Sequence, residues 1–237
     1  MYYPYIDMTY IVLVLPAILF SLWASAKVKR TYAKYKDNLN SRRITGADAA
    51  RWVLDRNGLS DVRIEHISGS LTDHYDPQAR VLRLSDDVYG RCSSVAVGVA
   101  CHEVGHAIQH AVNYTPIRIR TAIVPITNFG SRLAVPLILV GLILSSFGSI
   151  FITLAYVGVA MFGLVTVFQL VTLPTEFNAS RRALKTIDET GLLRGEEYDE
   201  AKKVLTAAAL TYVAALAVSF AQLLRLFLLV AGNGRRR

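Results

Sequence analysis

Apolar positions along this chain gather into long uninterrupted runs, separated by one large polar stretch and a smaller one. The first run, about Tyr10 to Ala26, is near the lower limit of the roughly 17–25 residues a helix needs to cross a bilayer. Leu133 to Leu173 carries no formal charge over 41 residues. At roughly 1.5 Å per residue that is enough for two crossings, with a turn near Ser145 to Ser149. The last run, about Ala207 to Ala231, has Arg225 near its end, where a long cation can snorkel to the interface. The pattern predicts an N-terminal anchor over 1–26, a transmembrane hairpin over 121–173, and a C-terminal membrane helix with a basic tail over 207–237.

The polar stretch 27–120 changes period as it goes. Ala47, Ala50, Val53 and Leu54 recur at helical spacing, with Thr45 as N-cap and Gly58 as a stop. Val62 to Ile67 and Val81 to Leu84 then alternate apolar and polar, with Asp76-Pro77 as the turn between them, which predicts a small antiparallel sheet. The strand Val81 to Leu84 is expected to offer a free edge on which an extended peptide can add. Ser93 or Ser94 caps the next helix, which runs through His102 and His106 to about Val112. In 174–206, Thr175 to Lys185 reads as a short polar helix, Gly191 to Gly195 as a turn, and Glu196 onward as a helix leading into the last run. The fold class is a mostly helical α+β membrane protein: about four transmembrane helices and a small domain made of a short antiparallel sheet and the helix that carries His102 and His106.

Composition sharpens this picture. Apolar residues make up 53% of 237 residues, and the formal net charge is +8. The cations sit beside apolar runs, Lys27, Lys29, Arg30, Lys34 and Lys36 after the first and Arg181, Arg182, Lys185, Lys202 and Lys203 before the last. There they read as orientation signals and contacts to anionic lipid, not as a nucleic-acid surface. Ala24-Ser25-Ala26 resembles a signal-peptide cleavage site, but no Lys or Arg precedes the first run, so an uncleaved anchor with its N-terminus outside is expected. Two cysteines, Cys92 and Cys101, are too few for a disulfide framework.

The chemistry is concentrated in His102-Glu103-Val104-Gly105-His106. Two histidines four apart on a helix lie about 40° apart around its axis, so both imidazoles can reach one metal ion. Two such ligands leave room on zinc (Zn2+) for a third protein ligand and a water. Glu103, offset by about 100° from His102, can act on that water as general base without ligating the metal. Together these residues point to zinc-dependent hydrolysis of peptide bonds. No histidine follows His110, so a carboxylate must serve as any downstream third ligand. Glu176 is the candidate, standing open between that role and a favourable negative charge at a helix N-terminus.

The segments Asp73-His74-Tyr75-Asp76-Pro77, Val81 to Ser85, Val99 to Gln109 and Leu173 to Ser180 resemble the YugP-type neutral zinc metallopeptidases of bacterial membranes. More remotely, the order of motif helix, membrane hairpin and Glu-bearing helix is similar to the CAAX-processing and heat-shock membrane zinc proteases, which are gluzincins. That resemblance implies a zincin-like domain over 27–120, with its metal-binding helix, and Glu176 as third ligand. Those relatives carry an Asp four residues after the ligand Glu, supporting a zinc histidine; here Ser180 stands there, able to accept the imidazole N–H bond without the charge.

Other residues have roles left open. His110 lies about 80° around from His102 and reads as solvated or capping. His74 or Tyr75 could donate to a developing oxyanion, as could Arg181 or Arg182, against simpler roles in a turn or at the lipid surface. The basic segments favour a cytoplasmic site in a bacterial inner membrane, although four spans from an outside N-terminus would leave Arg235-Arg236-Arg237 outside too. The leading expectation is a membrane endopeptidase acting on peptide or membrane-protein substrates in membrane-protein quality control. A catalytically idle zinc scaffold or sensor is the alternative. Metal transport is weaker, because the spans lack carboxylate or histidine pairs.

Overall fold

Caps and apolar runs put helices where the pattern predicts most of them. The computed structural model describes residues 7–234; the basic tail expected at Arg235-Arg236-Arg237 and the uncharged start Met1 to Ile6 lie outside them. A short π-helical turn, Tyr10–Val14, leads into α1 (Leu15–Tyr35), followed by α2 (Gly46–Arg56). The Thr45 hydroxyl accepts from the Asp48 amide at the start of α2, and Gly58, at φ +70°, turns the chain just past its end. Then come β1 (Arg63–Ile67), β2 (His74–Asp76), β3 (Val81–Ser85), α3 (Ser94–Ala111), α4 (Thr115–Ile143), α5 (Ser149–Thr190) and α6 (Glu196–Gly234). Among the described residues, four helical stretches are long and apolar enough to cross a membrane: Tyr10–Tyr35, Thr115–Phe147, Ser149–Thr190 and Glu196–Asn233.

The sheet differs from the antiparallel one expected. Its order is β1-β3-β2, with β1 parallel and β2 antiparallel to β3. The Asp76-Pro77 turn closes a hairpin between β2 and β3, where Asp76 accepts from the Gln78 and Ala79 amides. A strand of three residues is too short for alternation to reveal, and its insertion brings β1 to the far side of β3 in the parallel sense. β3 is therefore the middle strand, and the free edge expected along Val81 to Leu84 is already paired on both sides. Its Val81, Leu82, Leu84 and Ser85 are buried, as befits a strand covered on both faces.

A second difference is at Pro174. The expected short helix over Thr175 to Lys185 is part of α5, which continues through Pro174 for 42 residues. Proline inside a helix removes one backbone bond, a loss that neighbouring helices and side chains can make good.

The chain divides into two compact units. Among the described residues, one holds those up to Trp23, 119–173 and those from Tyr212 on; the other holds Ala24–Arg118 with Pro174–Thr211. In the first, Ile138, Ala155, Val159, Leu226 and Val230 form an apolar cluster, and Arg225 places two guanidinium nitrogens 2.6 and 2.8 Å from Asp7 Oδ2. A cation in an apolar segment is thus met by a carboxylate. The hairpin turn carries Ser145, whose hydroxyl lies 3.0 Å from the Asn233 amide nitrogen.

The second unit has its own core, in which α2 and the sheet pack on α3, and α3 on the polar end of α5. Gly105 makes the last contact possible: a Cβ there would lie 2.8 Å from the Ala179 carbonyl oxygen and 3.2 Å from its Cα. Alanine in a helix is worth up to about 1 kcal/mol over glycine, but here the obstruction is backbone and cannot rotate away. Gly105→Ala is therefore expected to destabilise the chain by about 1–3 kcal/mol net, read as a lower melting temperature in detergent. A variant as stable as the parent would show that the two helices can part without cost.

Candidate metal centre

The site is assembled from α3 and α5 within one unit. Ser93 starts α3 by accepting from the Ala96 amide at 3.1 Å. One turn separates His102 from His106, and their rings meet edge to face with centroids 4.9 Å apart. Glu176, 2% exposed, projects from α5 between them. Its Oε2 lies 3.3 Å from His102 Nε2 and 3.5 Å from His106 Nε2. One ligand atom from each of the three residues lies within 4.8 Å of the others.

These spacings test whether a metal fits. Zinc bonds of about 2.0–2.1 Å at a tetrahedral angle put neighbouring ligand atoms about 3.3–3.4 Å apart. The two measured edges match that figure, and two imidazole nitrogens with one carboxylate oxygen are a donor set that suits zinc and leaves a fourth position open. A buried carboxylate also needs positive charge nearby, which a dication would supply.

Each imidazole is held through its other nitrogen. His102 Nδ1 lies 3.0 Å from the Ser180 hydroxyl, and His106 Nδ1 lies 3.0 Å from Gln109 Oε1. The second contact can be followed outward. Arg182 can only donate, and its Nε gives a 2.8 Å bond to Asn178 Oδ1. Asn178 therefore presents oxygen, which accepts from Gln109 Nε2 at 3.0 Å, and that same Nε2 donates to the Thr175 carbonyl at 2.8 Å. With its nitrogen so engaged, Gln109 turns its oxygen to His106 and requires the proton on Nδ1. The lone pair of His106 then faces Glu176 from Nε2, the tautomer a metal ligand needs.

The electrostatics are strained in the expected directions. Burial pushes the Glu103 carboxyl above the ordinary carboxylate range; the two imidazoles oppose that rise and Glu176 adds to it. Burial disfavours a charged His106, but its bond to Glu176 and the charges of Glu176 and Glu103 outweigh this and hold the ring above its usual value. A bound dication would reverse that preference, since it requires the neutral ring.

Of the residues singled out from sequence, His102, His106, Glu176 and Ser180 come together here, with Glu103 partly buried beside them. His74 bonds the Thr72 carbonyl through Nδ1 and approaches Arg83, while the Tyr75 ring packs 5.8 Å from that of His110. Arg182 is engaged with Asn178. Gln109, fully buried, has a place in the site that sequence reasoning did not give it. Its signal was its position, three residues after His106 on the same face of the helix.

A family model described as "Putative neutral zinc metallopeptidase" matches residues 10–231. The chain is 47% identical over 228 residues, 96% of its length and 99% of the relative's, to a protein of Bacillus subtilis (strain 168) named "Putative membrane protease YugP". No solved structure matches it.

Proposed function

The chain belongs to this neutral zinc metallopeptidase family, and on that premise we propose that it is a membrane-embedded zinc endopeptidase of the gluzincin type. His102, His106 and Glu176 would hold the metal, and Glu103 would act as general base. The observation that carries the reading is the spacing of the three donor atoms, 3.3 and 3.5 Å along the two Glu176 edges, with a carboxylate on the residue following His102.

When bound, zinc supplies Lewis-acid polarisation of a carbonyl and lowers the pKa of water. The rest falls to the chain. Glu103 accepts the proton of the attacking water and delivers it to the leaving amine. Gln109 and Ser180 orient the imidazoles, and the packing at Gly105 keeps α3 close enough to α5 for Glu176 to reach both. Substrates would be peptides or membrane proteins met at the lipid interface, in keeping with a role in membrane-protein quality control.

The orientation fits a bacterial inner membrane with the site on the cytoplasmic side. The cations after Ala26 and before Ala207 favour the cytoplasm. The Asp7–Arg225 and Ser145–Asn233 contacts bring the start of the first span, the hairpin turn and the end of the last span together. That grouping supports a reading of four crossings in which these three segments share one face of the membrane.

The test is to purify the full chain, measure its metal, and follow cleavage of an unfolded protein substrate before and after chelation. About one zinc per chain, with cleavage lost on chelation and restored by zinc, is the expected result. Zinc without cleavage would favour the idle scaffold, and absence of zinc would overturn the reading.

A further inference from the structure

Lys27, Arg30 and Lys34 of α1 and Lys202 and Lys203 of α6 come from opposite ends of the chain, yet they line one cavity of about 610 Å3. That is within the range of ligand pockets, roughly 300–1,000 Å3. Its lining holds these five cations and one carboxylate, Asp199. The ring of Tyr35 takes up part of the repulsion, with Lys34 Nζ 5.1 Å and Lys203 Nζ 5.7 Å from its centroid. A cavity lined mostly by cations from two helices suits an anion.

The place of these cations along their helices points to the anion's source. Lys27 is the first charge on α1 after the run from Tyr10 to Ala26, and Lys203 is the last on α6 before the run that reaches Arg225. Ala207, also in the lining, belongs to that second run. The cations therefore ring the level at which both helices pass from polar to apolar surroundings, where lipid phosphates lie.

We propose that this cavity is a binding site for the phosphate headgroup of an anionic glycerophospholipid. The site stands apart from the metal centre and does not depend on the peptidase reading.

The experiment uses the full chain in phosphatidylcholine bilayers with and without phosphatidylglycerol, with bound lipid counted by native mass spectrometry. The parent is expected to retain phosphatidylglycerol over phosphatidylcholine. Arg30→Gln with Lys203→Gln should weaken that retention about tenfold or more. The control is Lys29→Gln with Lys36→Gln, which removes equal charge from the same helix region but from outside the lining, and should leave retention near the parent's. Melting temperature in detergent free of anionic lipid checks folding, and Lys202→Gln alone replaces the lining pair if that pair fails to fold. Equal losses from both pairs would show diffuse surface attraction and overturn the proposal, as would no preference between lipids. Inorganic phosphate displacing the lipid at matched concentration would reassign the cavity to a soluble anion and overturn it as well.

Discussion

Glu103→Gln is expected to lower peptide cleavage by about a hundred- to ten-thousandfold, the span over which a positioned general base acts, while zinc content stays at the parent's level. The substitution keeps size and shape and removes only the capacity to take a proton. Glu103 is not among the three residues whose donor atoms cluster, so the metal should survive its loss. Its carboxyl is pushed up by burial, a direction that suits a group that must accept a proton and then give it back. Metal analysis and turnover measured on the same preparation decide the matter. Zinc falling together with activity would mean that residue 103 supports the metal, and unchanged cleavage would remove the base from the mechanism.

Much of the site was legible because its chemistry is local. His102 and His106 are one turn apart on a helix whose cap, Ser93, is itself visible in sequence, so helix periodicity alone brings their rings to one face. Glu176 was less legible: it is 70 residues after His106, and nothing in its own segment separates a ligand from an ordinary charge at a helix start. The sheet shows the limit from another side. β2 is three residues long, too few to display a period, so the parallel pairing of β1 with β3 could not be anticipated from alternation. Pro174 misled for a related reason. Its local preference is to end a helix, and the continuity of α5 is decided by packing that the residues around the proline do not encode.

Gln109 is where local sequence said least, and it leads to the second large effect. Gln109→Leu should lower zinc affinity about 10–100-fold, as loss of an outer hydrogen bond to a metal-bound histidine does. Leucine is close in volume, so packing is nearly kept, but His106 Nδ1 loses its acceptor while the Thr175 carbonyl and Asn178 lose their donor. The ring is then free to place its proton on Nε2, the nitrogen that faces Glu176. A merely structural glutamine would give the same loss of affinity through general loosening, and Asn178 separates the two. Asn178→Asp still offers an oxygen to both Arg182 and Gln109, so it preserves the direction of every donor and should hold zinc within a few-fold of the parent. Asn178→Leu breaks the sequence of donors at its second member and should weaken zinc binding in the manner of Gln109→Leu, though less, since Thr175 still receives the Gln109 amide. Competition with a chromophoric chelator measures all three variants without recourse to turnover. If the aspartate variant binds zinc as poorly as the leucine variants, the orientation of these donors does not set the tautomer of His106.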